Sequence, residues 1–142
     1  MKFWTTFRVE QITFELIQQP MLEIERRINE AIAGKDYGPE IESLDIVINI
    51  FNNPVEERFK YSPKNKETDV DVRIPREIFL EADKDGRCVL YLKAVLHGID
   101  GLRANKHSKK FDFDGLVKTL TPLFEKYNHS GIIKAGNNPV IK

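Results

Sequence analysis

A chain of 142 residues with 41% hydrophobic and 31% charged residues has the size and composition of one globular domain, spanning 1–142, with a sizeable core. Its 22 basic and 22 acidic residues cancel, which excludes the bulk positive field of a general DNA or RNA binder while leaving room for a local acidic patch. No stretch approaches the ~20 apolar residues of a membrane span, and Met-Lys-Phe-Trp-Thr-Thr-Phe-Arg at the start is not a signal peptide; the expectation is a cytoplasmic protein with neither nucleic acid nor membrane as partner.

Lys2 to Glu10 reads as the first strand. Side chains of a strand alternate between faces, so Phe3, Thr5, Phe7 and Val9 share one face and Trp4, Thr6 and Arg8 the other. Trp4 on the less apolar face implies cover there, from a partner or, more simply, from a helix of the same domain. A helix follows: Ile17, Met21, Ile24, Ile28 and Ala31 recur at spacings of four, three, four and three, with Leu22 and Ile32 widening the stripe and Gly34 ending it. Pro20 suits the first helical position after Gln19, or it lies inside a longer helix from near Phe14. Lys35 to Ser43 is a loop with Tyr37-Gly38-Pro39 as its turn. Leu44 to Phe51 is the next strand; Leu44, Ile46, Ile48 and Ile50 line one face, and Val47 and Phe51 make the other partly apolar, the mark of a central strand.

Arg58 to Ile74 has the pattern of a β-hairpin. Phe59 and Tyr61 alternate with Arg58, Lys60 and Ser62; Val70, Val72 and Ile74 alternate with Asp69, Asp71 and Arg73; Pro63-Lys64-Asn65-Lys66 supplies the turn. A register of Tyr61 on Val70 and Phe59 on Val72 buries all four, sets Lys60 opposite Asp71, and leaves Arg58 facing Arg73.

In Pro75 to Arg87, Ile78, Phe79 and Leu80 call for burial and Asp83-Lys84-Asp85-Gly86 reads as a turn. That turn lacks the further ligands and closing Glu of a calcium loop. Cys88 to Arg103 is a second main helix, with Val89, Leu92, Leu96, Ile99 and Leu102 on one stripe and Lys93, His97, Asp100 and Arg103 on the other. Gly98 and Gly101 inside it point to close packing against a neighbour. Asp112 caps a third helix, with Phe111 and Leu116 as its hydrophobic staple and Leu116, Leu120, Leu123, Phe124 and Tyr127 as its apolar face; Pro122 kinks or breaks it. Residues 128–142 read as a loosely held tail, with a short edge strand at Pro139-Val140-Ile141 as the alternative. The expected fold is α+β in the order β-α-β-β-β-α-α, with helices packed on one face of a small antiparallel or mixed sheet.

The chemistry-bearing residues form no recognisable catalytic constellation. His97, His107 and His129 show no zinc spacing, and Cys88, the single cysteine, has the apolar neighbours of a buried thiol. No glycine-rich phosphate loop exists, so neither metal nor cofactor is expected. His97 and Asp100 lie one helical turn apart, which leaves a small hydrolase or ligand-binding enzyme as an alternative. The run Lys106 to Lys110 reads as a solvated basic loop.

The opening Phe3-Trp-Thr-Thr-Phe-Arg strand, Lys35-Asp-Tyr-Gly after the first helix, the central Arg58–Ile74 segment and Phe111-Asp-Phe-Asp before the last helix together resemble bacterial polymorphic-toxin immunity proteins. The resemblance covers most of the chain. It implies a small cytosolic protein, not an enzyme, that binds and neutralises one cognate toxin domain. The apolar stripes of the helices are taken by the core, so the hairpin residues Lys60, Tyr61, Asp69, Asp71 and Arg73 are the candidate partner-binding set; mixed charges of this kind suit specificity and steering.

Overall fold

The computed structural model describes residues 1–104 and 110–127. The elements are β1 (Lys2–Val9), α1 (Phe14–Ile32), β2 (Ser43–Phe51), β3 (Arg58–Ser62), β4 (Glu67–Pro75), α2 (Arg76–Glu81), α3 (Lys84–Ala104), α4 (Phe113–Leu120) and a 3-10 helix, Thr121–Tyr127. The four strands form one mixed sheet in the order β1-β2-β4-β3. β1 with β2 and β2 with β4 run parallel; β3 with β4 runs antiparallel. The fold is α+β, and β2 is central, as its two partly apolar faces require.

One face of the sheet is the core. Phe3, Leu44, Ile46, Ile48, Ile50, Val70, Val72 and Ile74 are all buried, and they are the residues that a period of two assigns to one side. α1 and α3 lie on this face. A Cβ on Gly98 would stand 3.0 Å from Val70 Cγ1 and 3.3 Å from Ile46 Cδ1, and one on Gly101 would fall 2.1 Å from the Phe59 ring. Both glycines therefore let α3 sit directly on the strands. Tyr91 of α3 donates its hydroxyl to Thr5 Oγ1 and tilts against the Phe7 ring at 5.3 Å. α3 is buried on most sides, from Cys88 through Leu102, because the sheet, α1, α4 and the 3-10 helix surround it; the polar stripe expected on it is correspondingly narrow.

α1 also closes an edge. β1 is an outer strand, and its outward Phe3 N–H donates to Asn29 Oδ1 at 3.0 Å while the Thr5 N–H donates to Glu25 Oε2 at 3.0 Å. Asn29 Nδ2 returns a bond to the Phe3 carbonyl at 3.0 Å. Side chains of α1 thus take the backbone groups that an unprotected edge would offer to another chain.

The structure decides between the two alternatives for α1 and changes the start of α3. α1 begins at Phe14, the longer alternative, so Pro20 is inside the helix. It removes one backbone bond there, and the residue is buried. Asp83-Lys84-Asp85-Gly86 is not a free turn but the start of α3: Asp83 Oδ1 accepts from the Gly86 N–H at 2.6 Å, and its carbonyl accepts from the Arg87 N–H at 2.9 Å. Turn and helix-cap chemistry use the same residue types, so residue identity alone does not separate the two. α2 places Phe79 in the core, and Arg87 holds it there by donating to the Phe79 and Leu80 carbonyls at 3.0 and 3.1 Å. Asp112 caps α4 as expected, accepting from the Gly115 N–H at 2.9 Å, and the helix passes into the 3-10 turn at Pro122. The tail 128–142, its alternative strand, His107 and His129 lie outside the described residues.

The hairpin register is corrected by two residues. Phe59 pairs with Val70, Tyr61 with Thr68, Lys60 with Asp69, and Arg58 with Asp71. A four-residue turn closes Ser62 on Glu67, with Lys66 at φ 55° and its N–H on the Ser62 carbonyl at 2.8 Å. A shift of two preserves the faces, so alternation alone cannot tell the registers apart. The observed one brings Glu67 and Thr68 into the strand and replaces the Arg58–Arg73 clash with opposite charges on both rungs.

Candidate partner-binding face

The second face of the sheet carries the polar half of each strand's alternation. Registers place its side chains in rows. Trp4 neighbours Asp45 across β1–β2, and Asp69 neighbours Lys60 across β4–β3. One step along, Thr6, Val47, Asp71 and Arg58 follow one another across the four strands; next come Arg8, Asn49 and Arg73. None of the described helices shields Trp4, which is 50% exposed. The expectation that a helix of this domain covers it is therefore not met among the described residues.

The middle of the face is a small polar network. Asn49 and Asp71 are both buried. Asn49 Nδ2 donates to Asp71 Oδ1 at 3.3 Å and to the Val72 carbonyl at 3.1 Å, and Arg8 Nη1 lies 3.8 Å from the same Asp71 oxygen. These partners offset the cost of burying a carboxyl group. Arg58 Nη1 donates to Asp69 Oδ2 at 3.2 Å, an exposed pair worth little in stability. Arg73 reaches out of the sheet: Nη2 donates to the Asn52 carbonyl at 2.8 Å and Nε to the Asn53 carbonyl at 3.3 Å, pinning the 52–57 loop.

Near the hairpin end the β2–β4 ladder is interrupted. Pairing passes from Ser43–Glu67 to Ile46–Val70, and between them the Thr68 hydroxyl accepts from the Asp45 N–H at 2.9 Å and donates to the Asp45 carbonyl at 3.0 Å. The gap leaves an open depression lined by Asp45, Ser62, Glu67, Thr68 and Asp69.

Of the hairpin residues picked out by sequence, Lys60, Asp69, Asp71 and Arg73 share this face. Tyr61 does not: it projects to the helix side, half-buried, and donates its hydroxyl to the Glu40 carbonyl. Lys60 and Asp69 are exposed, Asp71 is buried and Arg73 intermediate. Trp4, Asp45, Asn49 and Glu67 are on the face but were not in the expected set. Their signal was present as the off-phase positions of two other strands; which strands adjoin is a tertiary fact.

The alternative site does not assemble. His97 Nε2 is 2.8 Å from Glu57 Oε1, not paired with Asp100, and Glu57 Oε2 accepts from the Arg73 N–H at 3.1 Å. Asp100 is exposed and 4.0 Å from Arg103. The His97–Glu57 pair ties α3 to the 52–57 loop. Cys88 is buried, and burial pushes its thiol up to about 12, with Glu23 and Asp85 adding to the shift; a group so protonated is a poor nucleophile. Glu23, in turn, is held below the usual carboxylate range chiefly by the hydroxyl of Tyr127, with Arg27 and Lys84 assisting against burial. Among the described residues no three His, Cys, Asp or Glu side chains are grouped to hold a metal ion, and no helix is long and apolar enough to cross a membrane.

No curated protein and no solved structure gives a match to this chain. A family model described as Immunity protein 44 (Imm44) matches residues 1–126, which takes in every strand and helix placed above except the last residue of the 3-10 helix. The resemblance to polymorphic-toxin immunity proteins holds at the level of the family: the chain belongs to the Immunity protein 44 family.

Proposed function

We propose that this protein binds a cognate bacterial toxin domain in the cytoplasm and neutralises it by occupying its surface, with no catalysis of its own. The family match over residues 1–126 is the observation that carries this reading. The sheet face supports it, because one side of a four-stranded sheet offers charged and aromatic side chains on a rigid frame. Within this reading the hairpin residues Lys60 and Asp69 belong to the partner surface directly. Asp71 and Arg73 shape it through Asn49, Arg8 and the 52–57 loop. Tyr61 supports the hairpin from beneath. Co-expression with a panel of polymorphic-toxin domains tests the function: cells producing the cognate domain survive when this chain is present, and the two proteins co-purify. Failure of both rescue and co-purification would overturn the proposal.

A further inference from the structure

The charges of the open face are unevenly committed. Four of its basic groups have partners: Arg8 with Asp71, Arg58 with Asp69, Arg73 with loop carbonyls, and Lys2 Nζ 5.9 Å from the centre of the Trp4 ring; Lys60, across from Asp69 on β3, is exposed and makes no ion pair among the described residues. Two carboxylates at the hairpin end, Asp45 and Glu67, are outside these pairs. Asp45 Oδ2 accepts from the Ser43 hydroxyl at 2.8 Å, and Glu67 makes no ion pair among the described residues. The depression between them is lined by three carboxylates and two hydroxyl side chains, with no cation in its wall. Trp4, directly across the strand pair from Asp45, stands half exposed beside it.

The geometry points to this face as the seat of the toxin domain, with Trp4 as the apolar anchor and the Asp45–Glu67–Asp69 depression receiving a basic side chain of the toxin. This rests on the immunity reading. An indole offers a large rigid contact area and is the residue type most enriched among interface hot spots. A basic group beside it meets carboxylates already fixed by strand backbone, so little ordering is lost on binding. An acidic group there would be opposed by all three. Four strands about 4.8 Å apart and some 8 residues long at ~3.3 Å each give a face of roughly 500 Å². A stable interface takes about 800 Å² from each partner, so the hairpin tip and the 52–57 loop complete the rim.

The test uses the full chain and the toxin domain that the co-expression rescue identifies. Trp4 is the single tryptophan, so labelling with 5-fluorotryptophan gives one ¹⁹F signal that reports on this position alone. Acrylamide should quench Trp4 readily in the free chain, and the ¹⁹F signal should shift on addition of toxin. Trp4→Thr, which retains strand propensity, should weaken Kd by about 30-fold, the scale of a hot-spot residue. The triple variant Asp45→Asn, Glu67→Gln, Asp69→Asn should weaken it by at least tenfold and flatten its salt dependence. Lys118→Ala on the helix side should leave it unchanged. Urea midpoints for each variant separate lost binding from lost folding; if the triple variant is unstable, Glu67→Lys alone serves. Kd within twofold of the parent for both sets, with the parent still binding, overturns the placement and leaves the immunity function intact. A parent that neither binds nor protects overturns both. Trp4 shielded from acrylamide in the free chain at every concentration assigns the face to the chain's own residues; shielding that grows with concentration assigns it to a second copy. Tighter binding by the neutralised or reversed variants assigns an acidic partner. Each of these last three outcomes refutes the proposal.

Discussion

Gly101 and Phe59 should show a reversal of sign in a double-mutant cycle. A Cβ at position 101 would lie 2.1, 2.4 and 2.5 Å from Cδ1, Cε1 and Cγ of Phe59, so the ring as a whole rests on the glycine. Gly101→Ala adds about 1 kcal/mol of helix propensity. It also forces the ring off α3 and away from His97, against which it sits edge-on at 5.6 Å. Phe59 is half-buried; re-exposing roughly 100 Å² of ring at ~25 cal/mol per Å² costs about 2.5 kcal/mol. The net expectation is a loss of about 1.5 kcal/mol in the parent. In a Phe59→Ala background the obstacle is gone and the same Gly101→Ala change should stabilise by about 1 kcal/mol. The coupling energy from urea unfolding is then roughly 2.5 kcal/mol, at the upper part of the range for contacting residues. Equal effects in the two backgrounds would refute the packing argument. Gly98 provides the contrast: its Cβ meets mobile methyl ends at 3.0 and 3.3 Å, so Gly98→Ala should change stability by less than about 1 kcal/mol, propensity and crowding nearly cancelling.

Replacing Glu25 and Asn29 together with alanine should expose the β1 edge; hydrogen exchange of the Phe3 and Thr5 amides should accelerate, and light scattering during refolding should rise. Tyr127→Phe should alter the acid limb of the stability curve. Glu23 is lowered from 4.5 in the folded chain, first by the Tyr127 hydroxyl, so its contribution is present above the unfolded value and lost as pH falls through the folded one. The variant should lose stability at neutral pH and show a shallower decline below pH 4.5; identical curves would refute the assignment. Cys88, raised to about 12 by burial, should resist alkylation at pH 8 in the native chain and react at once in urea. Asp112→Ala should cost about 1 kcal/mol through loss of the α4 cap, read as a lower urea midpoint.

The elements that the sequence made legible are those whose burial follows one period. β2 and the two hairpin arms alternate at two, and α1 repeats its isoleucines at Ile17, Ile24 and Ile28, all buried. Asp112 was legible because a cap is local chemistry. The start of α3 was not, since Asp83 and Gly86 carry the same signal whether the chain turns or begins a helix. The stripe read on α3 understated its burial: Leu90, Tyr91, Ala94 and Val95 are all inside, because a central helix is covered on several sides and has no single face. The hairpin register failed for a reason of symmetry. Any even shift keeps Phe59 and Val72 on the buried face, and the choice falls to the turn around Lys66 and to Thr68, whose hydroxyl grips Asp45 on a strand 23 residues away.

The candidate face shows the same division between local and non-local information. Lys60, Asp69, Asp71 and Arg73 could be read off one hairpin because their alternation is contained in the 14 residues from Lys60 to Arg73. Trp4 and Asp45 become neighbours only when β1 and β2 pair in parallel, and that pairing depends on α1 crossing between them over the core face. Parallel order also decides which charges are spent. Arg8 is distant from Asp71 in sequence, yet β1, β2 and β4 bring them to 3.8 Å, with Asn49 on the strand between. Arg8 and Arg58 are drawn to Asp71 and Asp69, and the carboxylates of Asp45 and Glu67 make no ion pair among the described residues. A neutral chain can therefore present a local acidic site: the net charge is a sum over the molecule, whereas a partner side chain meets one corner of one face, and at the depression Asp45 and Glu67 stand outside the ion pairs that Arg8 and Arg58 make.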